Sequence, residues 1–268
     1  RKMYANGFNF FIRANYNHAI DQIIFREDPE LAPDYLKQAG FQIGQTRSQL
    51  NSGFINSWDD MYTGVLGEVN DDALPGDFRQ VDFNADGVIN GLDEVPFGFP
   101  SRPQYQGNFS AGVGFKNFNF NFMLVGAHNV SRIIARGEYS LEYSIVFPFH
   151  LDDSWTPERA DAWAANPEEA GNFINDPRYA HTRFRTGSPK GNHWVKDASY
   201  IRLQAAELSY DMQFAFLRSI GIQGLRLFAN GNNLFIWTRL AEDRDGGNFQ
   251  RENYPRVARY NFGVNLKF

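Results

Sequence analysis

The stretch 82–93 carries oxygen-bearing side chains at the spacing of a calcium-binding loop. In such a loop the first, third, fifth, seventh, ninth and twelfth positions supply ligands, and a glycine at the sixth permits a sharp turn. Gly87 stands at that sixth position. The ligand positions are filled, in order, by Asp82, Asn84, Asp86, Val88 (through its carbonyl), Asn90 and Asp93.

We therefore predict one structural Ca²⁺ in this loop. Asp93 has a shorter reach than the glutamate usual at the last position, which weakens bidentate ligation. The alternative is an Asx-rich turn that holds no ion. No sequence pattern of a serine hydrolase, a zinc protease or a phosphate-binding loop occurs, so we expect no catalytic residues and no enzyme.

Composition excludes several other classes of protein. The 26 Lys and Arg against 31 Asp and Glu leave a net charge of −5, which argues against a nucleic-acid partner. The absence of Cys excludes disulfides, thiolate zinc sites and a cysteine nucleophile. Apolar runs such as 122–125 are far shorter than the roughly 20 residues of a membrane helix.

Alternation of apolar and polar residues with a period of two indicates β-strands. It is clearest in 118–122, where Phe and Asn alternate, and over the last nine residues. In 200–210 the alternation slips near Ala205 and Ala206, which predicts a β-bulge. The six predicted strands are 8–20, 104–115, 117–128, 199–211, 224–237 and 257–268.

The connections between these strands alternate between short and long. The short ones are 116–117 and 212–223; the long ones are 21–103, 129–198 and 238–256. This asymmetry is typical of an outer-membrane β-barrel, with short periplasmic turns and long extracellular loops. We predict that Phe118, Phe120, Phe122, Phe262, Val264 and Leu266 face lipid, and that Asn119, Asn121, Asn261 and Asn265 face the lumen. A soluble β-sandwich or lipocalin-like barrel is the alternative, because its strands alternate too.

Four ordered motifs resemble those of the SusC/RagA-type TonB-linked outer-membrane transporters. The first combines Pro-Gly-Asp-Phe at 75–78 with the acidic loop. The second is Ser-Tyr-Ile-Arg-Leu at 199–203, followed by Glu-Leu-Ser-Tyr at 207–210. The third is Gly-Asn-Asn-Leu-Phe-Ile-Trp-Thr at 231–238, and the last is Tyr-Pro at 254–255 with the closing strand.

The resemblance implies an all-β, antiparallel transmembrane barrel of about 22 strands, of which residues 1–268 supply the last six strands as one C-terminal unit. The acidic loop then lies inside the extracellular connection 21–103. A plug domain and a segment that contacts the TonB complex are expected to precede this part of the chain. The C-terminus is expected on the periplasmic side of the bacterial outer membrane.

The resemblance also implies partners. They are the remainder of the same barrel and its plug, outer-membrane lipid, the TonB complex, and a SusD-like surface lipoprotein that closes over an oligosaccharide or peptide substrate. Two other functions stay open. One is a barrel subunit that anchors a surface assembly, and the other is a soluble calcium-binding β-domain.

Overall fold

Seven antiparallel strands pair in one sheet, side by side in their order along the chain. A computed structural model describes residues 2–3, 7–65, 74–133, 155–158, 161, 191–192, 195–212, 216, 221–240 and 257–268. The strands of this sheet are β1 (Lys2–Met3), β2 (Phe8–His18), β7 (Tyr105–Phe115), β8 (Phe118–His128), β11 (Tyr200–Met212), β12 (Gly224–Thr238) and β13 (Arg259–Lys267).

All six predicted strands are confirmed, each to within a few residues at its ends. The two-residue strand β1 is an addition that sequence alternation could not predict. β7 and β8 are joined by the tight turn expected at 116–117, where Lys116 adopts a φ of 54°. Within the described residues β13 pairs only with β12, so the sheet is open there. Barrel closure and a total of about 22 strands remain predictions.

The predicted bulge is also confirmed. Between Leu203 and Ala205 two steps along β11 oppose a single step along β8, from Leu124 to Met123. The extra residue is Gln204. Because of this extra residue, Leu203 and Leu208 lie on the same face of the sheet although their positions in the sequence differ by an odd number. This explains why the alternation shifts by one residue in the sequence.

One face of the sheet is apolar across all six long strands. Paired residues of an antiparallel sheet share a face, and Phe120 pairs with both Val113 and Leu208. Ala229, the partner of Leu208, pairs in turn with Phe262. The large residues of this face include Phe8, Phe10, Ile12, Tyr16, Tyr105, Phe109, Val113, Phe115, Phe118, Phe120, Phe122, Leu124, Ile201, Leu203, Leu208, Tyr210, Met212, Leu225, Leu227, Phe235, Trp237, Tyr260, Phe262, Val264 and Leu266.

This apolar face is uncovered. Phe262 is 82% exposed, Phe118 56% and Phe120 42%. A soluble sheet places such a face against a core and turns its polar face to water. Here the buried hydrophobic residues of the described chain lie almost entirely outside the sheet; they are Phe54, Ile55, Ile89, Val95, Ala127, Val130, Trp155, Val195 and Leu240.

That small core belongs to a layer built from the long connections, at one end of the sheet. Its strands are too short for periodicity to reveal them. They are β3 (Arg47–Ser48), β4 (Asn51–Phe54), β5 (Phe78–Gln80), β6 (Val95–Pro96), β9 (Ser131–Ile133) and β10 (Val195–Asp197), which pair as β3–β6, β4–β5 and β9–β10. One short helix, α1 (Trp58–Thr63), begins after Ser57, whose side chain accepts the N–H of Asp60.

The first and second long connections bind each other directly. Ser131 is buried; its Oγ accepts the N–H of Phe99 at 2.8 Å, and its own N–H donates to the Pro100 carbonyl at 3.2 Å. The N–H of Asn192 donates to the Gln49 carbonyl at 2.9 Å. These contacts join segments far apart in sequence into one layer above the strand ends.

Much of the connections 129–198 and 238–256, and the Tyr-Pro motif at 254–255, lie outside the described residues. Among the residues that are described, no helix has the length and apolarity needed to cross a membrane.

The two faces of β8 should respond differently to charge in the full-length protein in a bilayer. Phe120→Arg places a cation on the apolar face, and we expect the free energy of unfolding to fall by roughly 2–4 kcal/mol. Asn121→Arg, one residue along on the opposite face, is the matched control and should cost far less because water can solvate the charge. Denaturant unfolding in lipid vesicles measures both; equal losses would contradict the assignment of faces.

Candidate functional site

The acidic loop 82–93 lies between β5 and β6, within the layer formed by the long connections. Its tight course requires left-handed backbone at Ala85, with a φ of 59°, and at Gly87, with a φ of 87°. Ile89 is buried and anchors the loop from inside. The loop is therefore a folded element that exposes the side chains of Asn84 and Asp86.

The first three predicted ligands order the start of the loop. Asp82 accepts the N–H of Asp86 at 3.2 Å and that of Gly87 at 2.8 Å. Asn84 Oδ1 accepts the N–H of Asp86 at 3.0 Å, and Asn84 Nδ2 donates to Asp86 Oδ2 at 2.8 Å. Asp86 Oδ1 in turn accepts the N–H of Val88 at 2.8 Å. The structure thus brings the oxygens of Asp82, Asn84 and Asp86 together.

Asp93 is held in a different way, since it is fully buried. Its Oδ1 accepts the N–H of Phe83 at 2.7 Å and that of Asn84 at 3.3 Å, and its Oδ2 accepts the N–H of Asn90 at 2.8 Å. Three backbone amides compensate the buried charge. The carboxylate closes the loop by joining its beginning to its end.

Asn90 caps the short 3-10 helix Gly91–Asp93, because its side-chain oxygen accepts the N–H of Leu92 at 2.7 Å. In the described part of the chain there is no group of three or more His, Asp or Glu residues arranged to hold a metal ion. Asp93 therefore does not form a three-carboxylate cluster with Asp82 and Asp86. The calcium site stays a prediction, with its potential ligands concentrated in the first half of the loop.

Neighbouring segments fix the loop from outside. Gln49 Nε2 donates to the Asn90 carbonyl, and the Tyr35 hydroxyl donates to the Leu92 carbonyl, both at 2.8 Å. Arg47 holds the chain around Tyr35 through hydrogen bonds to the carbonyls of Tyr35 and Lys37. Loop order is consequently coupled to order in the first long connection.

Asp28 stabilises the same connection further from the loop. The N–H of Ala39 donates to its carboxylate, and this bond lowers the pKa of Asp28 against the opposing effect of desolvation. The N–H of Gln38 and the charges of Arg26 and Arg47 also favour the ionised form. The carboxylate thus stays charged and fixes the turn.

The second functional surface is the face of the sheet opposite the apolar one. Polar side chains bond across its strands: Asn15 to Asn108 at 3.1 Å, Asn119 to Asp211 at 3.0 Å and Asn261 to Asn230 at 2.8 Å. Arg226 donates to Glu207 and Ser209, each at 2.8 Å. A surface of amides and paired charges suits a water-filled space.

A row of rings that the sequence pattern does not reveal crosses three strands at the end nearest the long connections. Tyr105 lies between His18 and His128 in the pairing register. The His18 and Tyr105 rings stack with centroids 4.4 Å apart, and the His128 ring lies 6.0 Å from Tyr105. Rings with polar edges at the border of an apolar band are typical of a membrane–water interface. Only the pairing register could have revealed this row.

The chain is similar in sequence to known TonB-dependent receptors. No family model matches the chain. It is 27% identical over 215 residues to TonB-dependent receptor P26 of Formosa agariphila, covering 78% of this chain and 20% of that protein. It is 23% identical over 256 residues to TonB-dependent receptor P3 of the same organism, covering 88% and 24%. The chain spans about a fifth to a quarter of the length of these relatives.

Solved structures of similar fold include the RagAB peptide importer in its closed-closed state, with a TM-score of 0.64 and 17% identity over all of this chain and 28% of that one. The open-open state of the same importer matches with a TM-score of 0.59 and 15% identity, and the match covers all of this chain and 27% of that one. The chain is thus similar in sequence to TonB-dependent receptors and in fold to the RagAB importer, which agrees with the resemblance to SusC/RagA-like TonB-dependent transporters. These relatives are receptors and an importer rather than enzymes, in agreement with the prediction that the chain is not an enzyme.

The role of Asp93 can be tested in the full-length transporter by Asp93→Asn. The substitution removes one acceptor oxygen and the charge, so at least one buried amide loses its partner. We expect the free energy of local opening to fall by roughly 1–3 kcal/mol, measured as faster hydrogen exchange at Phe83, Asn84 and Asn90. Asp59→Asn, on an exposed side chain of α1, should change nothing there. Unaltered exchange in Asp93→Asn would contradict the anchoring role.

Proposed function

We propose that this chain forms part of the wall of a TonB-dependent importer in the outer membrane. The observation that carries the proposal is the uncovered apolar face of the sheet, with Phe262 at 82% exposure, opposite a face of amides and paired charges. Lipid on one side and a hydrated lumen on the other satisfy both faces. A soluble calcium-binding domain would leave the apolar face in water.

The rest of the barrel follows from backbone chemistry. Within the described residues the outer edge of β13 has no partner strand, and hydrocarbon cannot satisfy the N–H and C=O groups of such an edge. We infer that further strands of the same protein close a barrel of about 22 strands around a plug. The small share of the relatives' length that the chain spans supports this inference.

The proposed orientation places the long connections outside the cell. β2, β8 and β12 all lead into long connections at one end of the sheet, and the turn at 116–117 lies at the other. Short turns face the periplasm in barrels of this kind. The layer built from the long connections then surrounds the extracellular mouth, and the C-terminus lies on the periplasmic side.

That layer is the surface on which we propose a SusD-like lipoprotein closes. Its strands and hydrogen bonds make it an ordered rim, and ordered rims suit repeated docking because little conformational entropy is lost. Substrate, an oligosaccharide or a peptide, would be enclosed between rim and lid and released inward when the TonB complex acts on the plug. The similar RagAB structure is that of a peptide importer.

Transport, as opposed to anchoring of a surface assembly, requires TonB energy. In cells that carry the full-length transporter, uptake of labelled oligosaccharide and peptide pools should fall to the background of a transporter deletion when TonB is removed. The TonB-deficient strain and the transporter-deletion strain are then matched controls for each other. Uptake that is equal in wild type, TonB-deficient and deletion strains, with loss of a surface assembly in the deletion alone, would favour the anchoring role.

We also propose that the acidic loop holds one Ca²⁺. Carboxylate and amide oxygens are the ligands that this ion prefers, and those of Asp82, Asn84 and Asp86 are already grouped. The carbonyl of Val88 and the side chain of Asn90 are the further candidates, the latter through water. Asp93, bound to three amides, would contribute mainly by fixing the loop.

Calcium should slow hydrogen exchange in 82–93 of the full-length transporter, with an apparent affinity of about 10⁻⁴–10⁻³ M. Asp86→Ala removes a central ligand and should abolish the protection while leaving the sheet folded. Asp59→Ala, outside the loop, should leave it intact. If hydrogen exchange in the wild-type loop is the same in calcium and in chelator, the motif is a turn that holds no ion.

A further inference from the structure

A cleft of about 420 Å³ opens on the polar face of the sheet, next to the long connections. Its lining includes four carboxamide side chains and the ring of Tyr200, beside Tyr16 and several small or apolar residues; the carboxamides are those of Asn15, Asn17, Gln106 and Asn108. Its size falls within the range of small-molecule sites, roughly 300–1,000 Å³. The ring row of His18, Tyr105 and His128 lies on the opposite face, so this cleft is separate from it.

The pairing register places the lining side chains on one face. Asn15 pairs with Asn108 and Asn17 with Gln106 across β2 and β7. Gln106 pairs with Ala127 of β8, which in turn pairs with Tyr200 of β11. Four neighbouring strands thus contribute to one concave surface, and sheet hydrogen bonds fix the spacing of its polar groups.

The carboxamides retain free hydrogen-bonding capacity. Asn15 Nδ2 donates to Asn108 Oδ1 at 3.1 Å, which leaves the oxygen of Asn15 and the amide hydrogens of Asn108 available. The side chains of Asn17 and Gln106 make no hydrogen bond within the described part of the chain. The cleft therefore offers both donors and acceptors, without a formal charge on any lining side chain.

Tyr200 adds an aromatic surface that is held in position. The Arg202 guanidinium lies over its ring, 5.1 Å from the centroid, and Arg202 is buried. A cation over one face of a ring stabilises its orientation. The ring is partly exposed and lines the cleft.

This combination fits a neutral saccharide. Each sugar hydroxyl both donates and accepts, as each carboxamide does, and the apolar face of a pyranose can pack on an aromatic ring. A peptide bound by strand addition would need a free strand edge. β7 and β8, which form the floor of the cleft, are paired on both sides, and in the proposed barrel the next strand would pair with the outer edge of β2.

We propose that the cleft is a saccharide subsite on the lumen wall, with Asn15, Asn17, Gln106, Asn108 and Tyr200 as its contacts. The proposal rests on the import function proposed above and selects oligosaccharide as the substrate class. The subsite lies just inside the extracellular end of the strands, where a substrate would pass from rim to lumen.

The test uses the purified full-length transporter and a panel of neutral hexasaccharides: maltohexaose, cellohexaose, mannohexaose, xylohexaose and laminarihexaose. Titration calorimetry should detect binding of at least one of them. The double variant Asn17→Ala with Gln106→Ala breaks no hydrogen bond within the described chain, so it should fold. It should weaken binding roughly tenfold, as loss of two ligand hydrogen bonds predicts. Tyr200→Leu should weaken it similarly.

Asn121→Ala is the matched control, since Asn121 is on the same face of β8 but outside the cleft. The affinity of the Asn121→Ala variant for the hexasaccharide should equal that of the wild type. Absence of binding to every hexasaccharide at millimolar concentration, or equal binding by wild type and cleft variants, would overturn the proposal. So would binding of an uncharged hexapeptide of serine and glycine that is lost in the same variants. TonB-dependent uptake that persists unchanged in the cleft variants would show that the importer stands and only the subsite fails.

Discussion

One face of the antiparallel sheet carries aromatic and aliphatic side chains, and the other carries amides and paired charges. Such a sheet can be stable only between two different media. Hydrogen bonds between strands satisfy the backbone, so the side chains alone decide which medium each face requires. Phe118, Phe120 and Phe262 are all substantially exposed, and their burial in lipid would supply the free energy that a soluble domain obtains from its core. Hydrocarbon cannot satisfy a free strand edge either, which is the reason for the proposal that other strands of the same barrel pair with β13.

The layer of long connections depends on this sheet and supplies the core that the sheet lacks. Its short strands and buried residues such as Val95 and Val195 lie at the end where β2, β8 and β12 finish. Ser131 and Asn192 connect it across segments of distant sequence. A rim held in this way can present fixed surfaces above a lumen, and the acidic loop with its buried Asp93 is one of its ordering elements.

The sequence predicted the long strands because one side of each must be apolar, which forces a period of two. The slip in β11 was predicted for the same reason, and its location at Gln204 needed only the register. The pairs β3–β6, β4–β5 and β9–β10 could not be predicted, because strands of two to four residues show no period. The anchoring role of Asp93 depends on its burial, which the spacing of a calcium motif does not encode. The cleft between Asn17 and Tyr200 depends on strand order, which joins residues far apart in the chain.

The central claim is that every second side chain of β8 contacts lipid. Spin labels at successive positions of the strand measure this directly. The chain has no native Cys, so single cysteines can be placed one at a time at positions 118–122 of the full-length transporter, with any cysteine elsewhere replaced, in lipid bilayers. A spin label at 118, 120 and 122 should be relaxed by oxygen, which dissolves in lipid, and labels at 119 and 121 by a water-soluble nickel reagent. Accessibility that does not alternate, or that alternates with the opposite phase, would contradict the account.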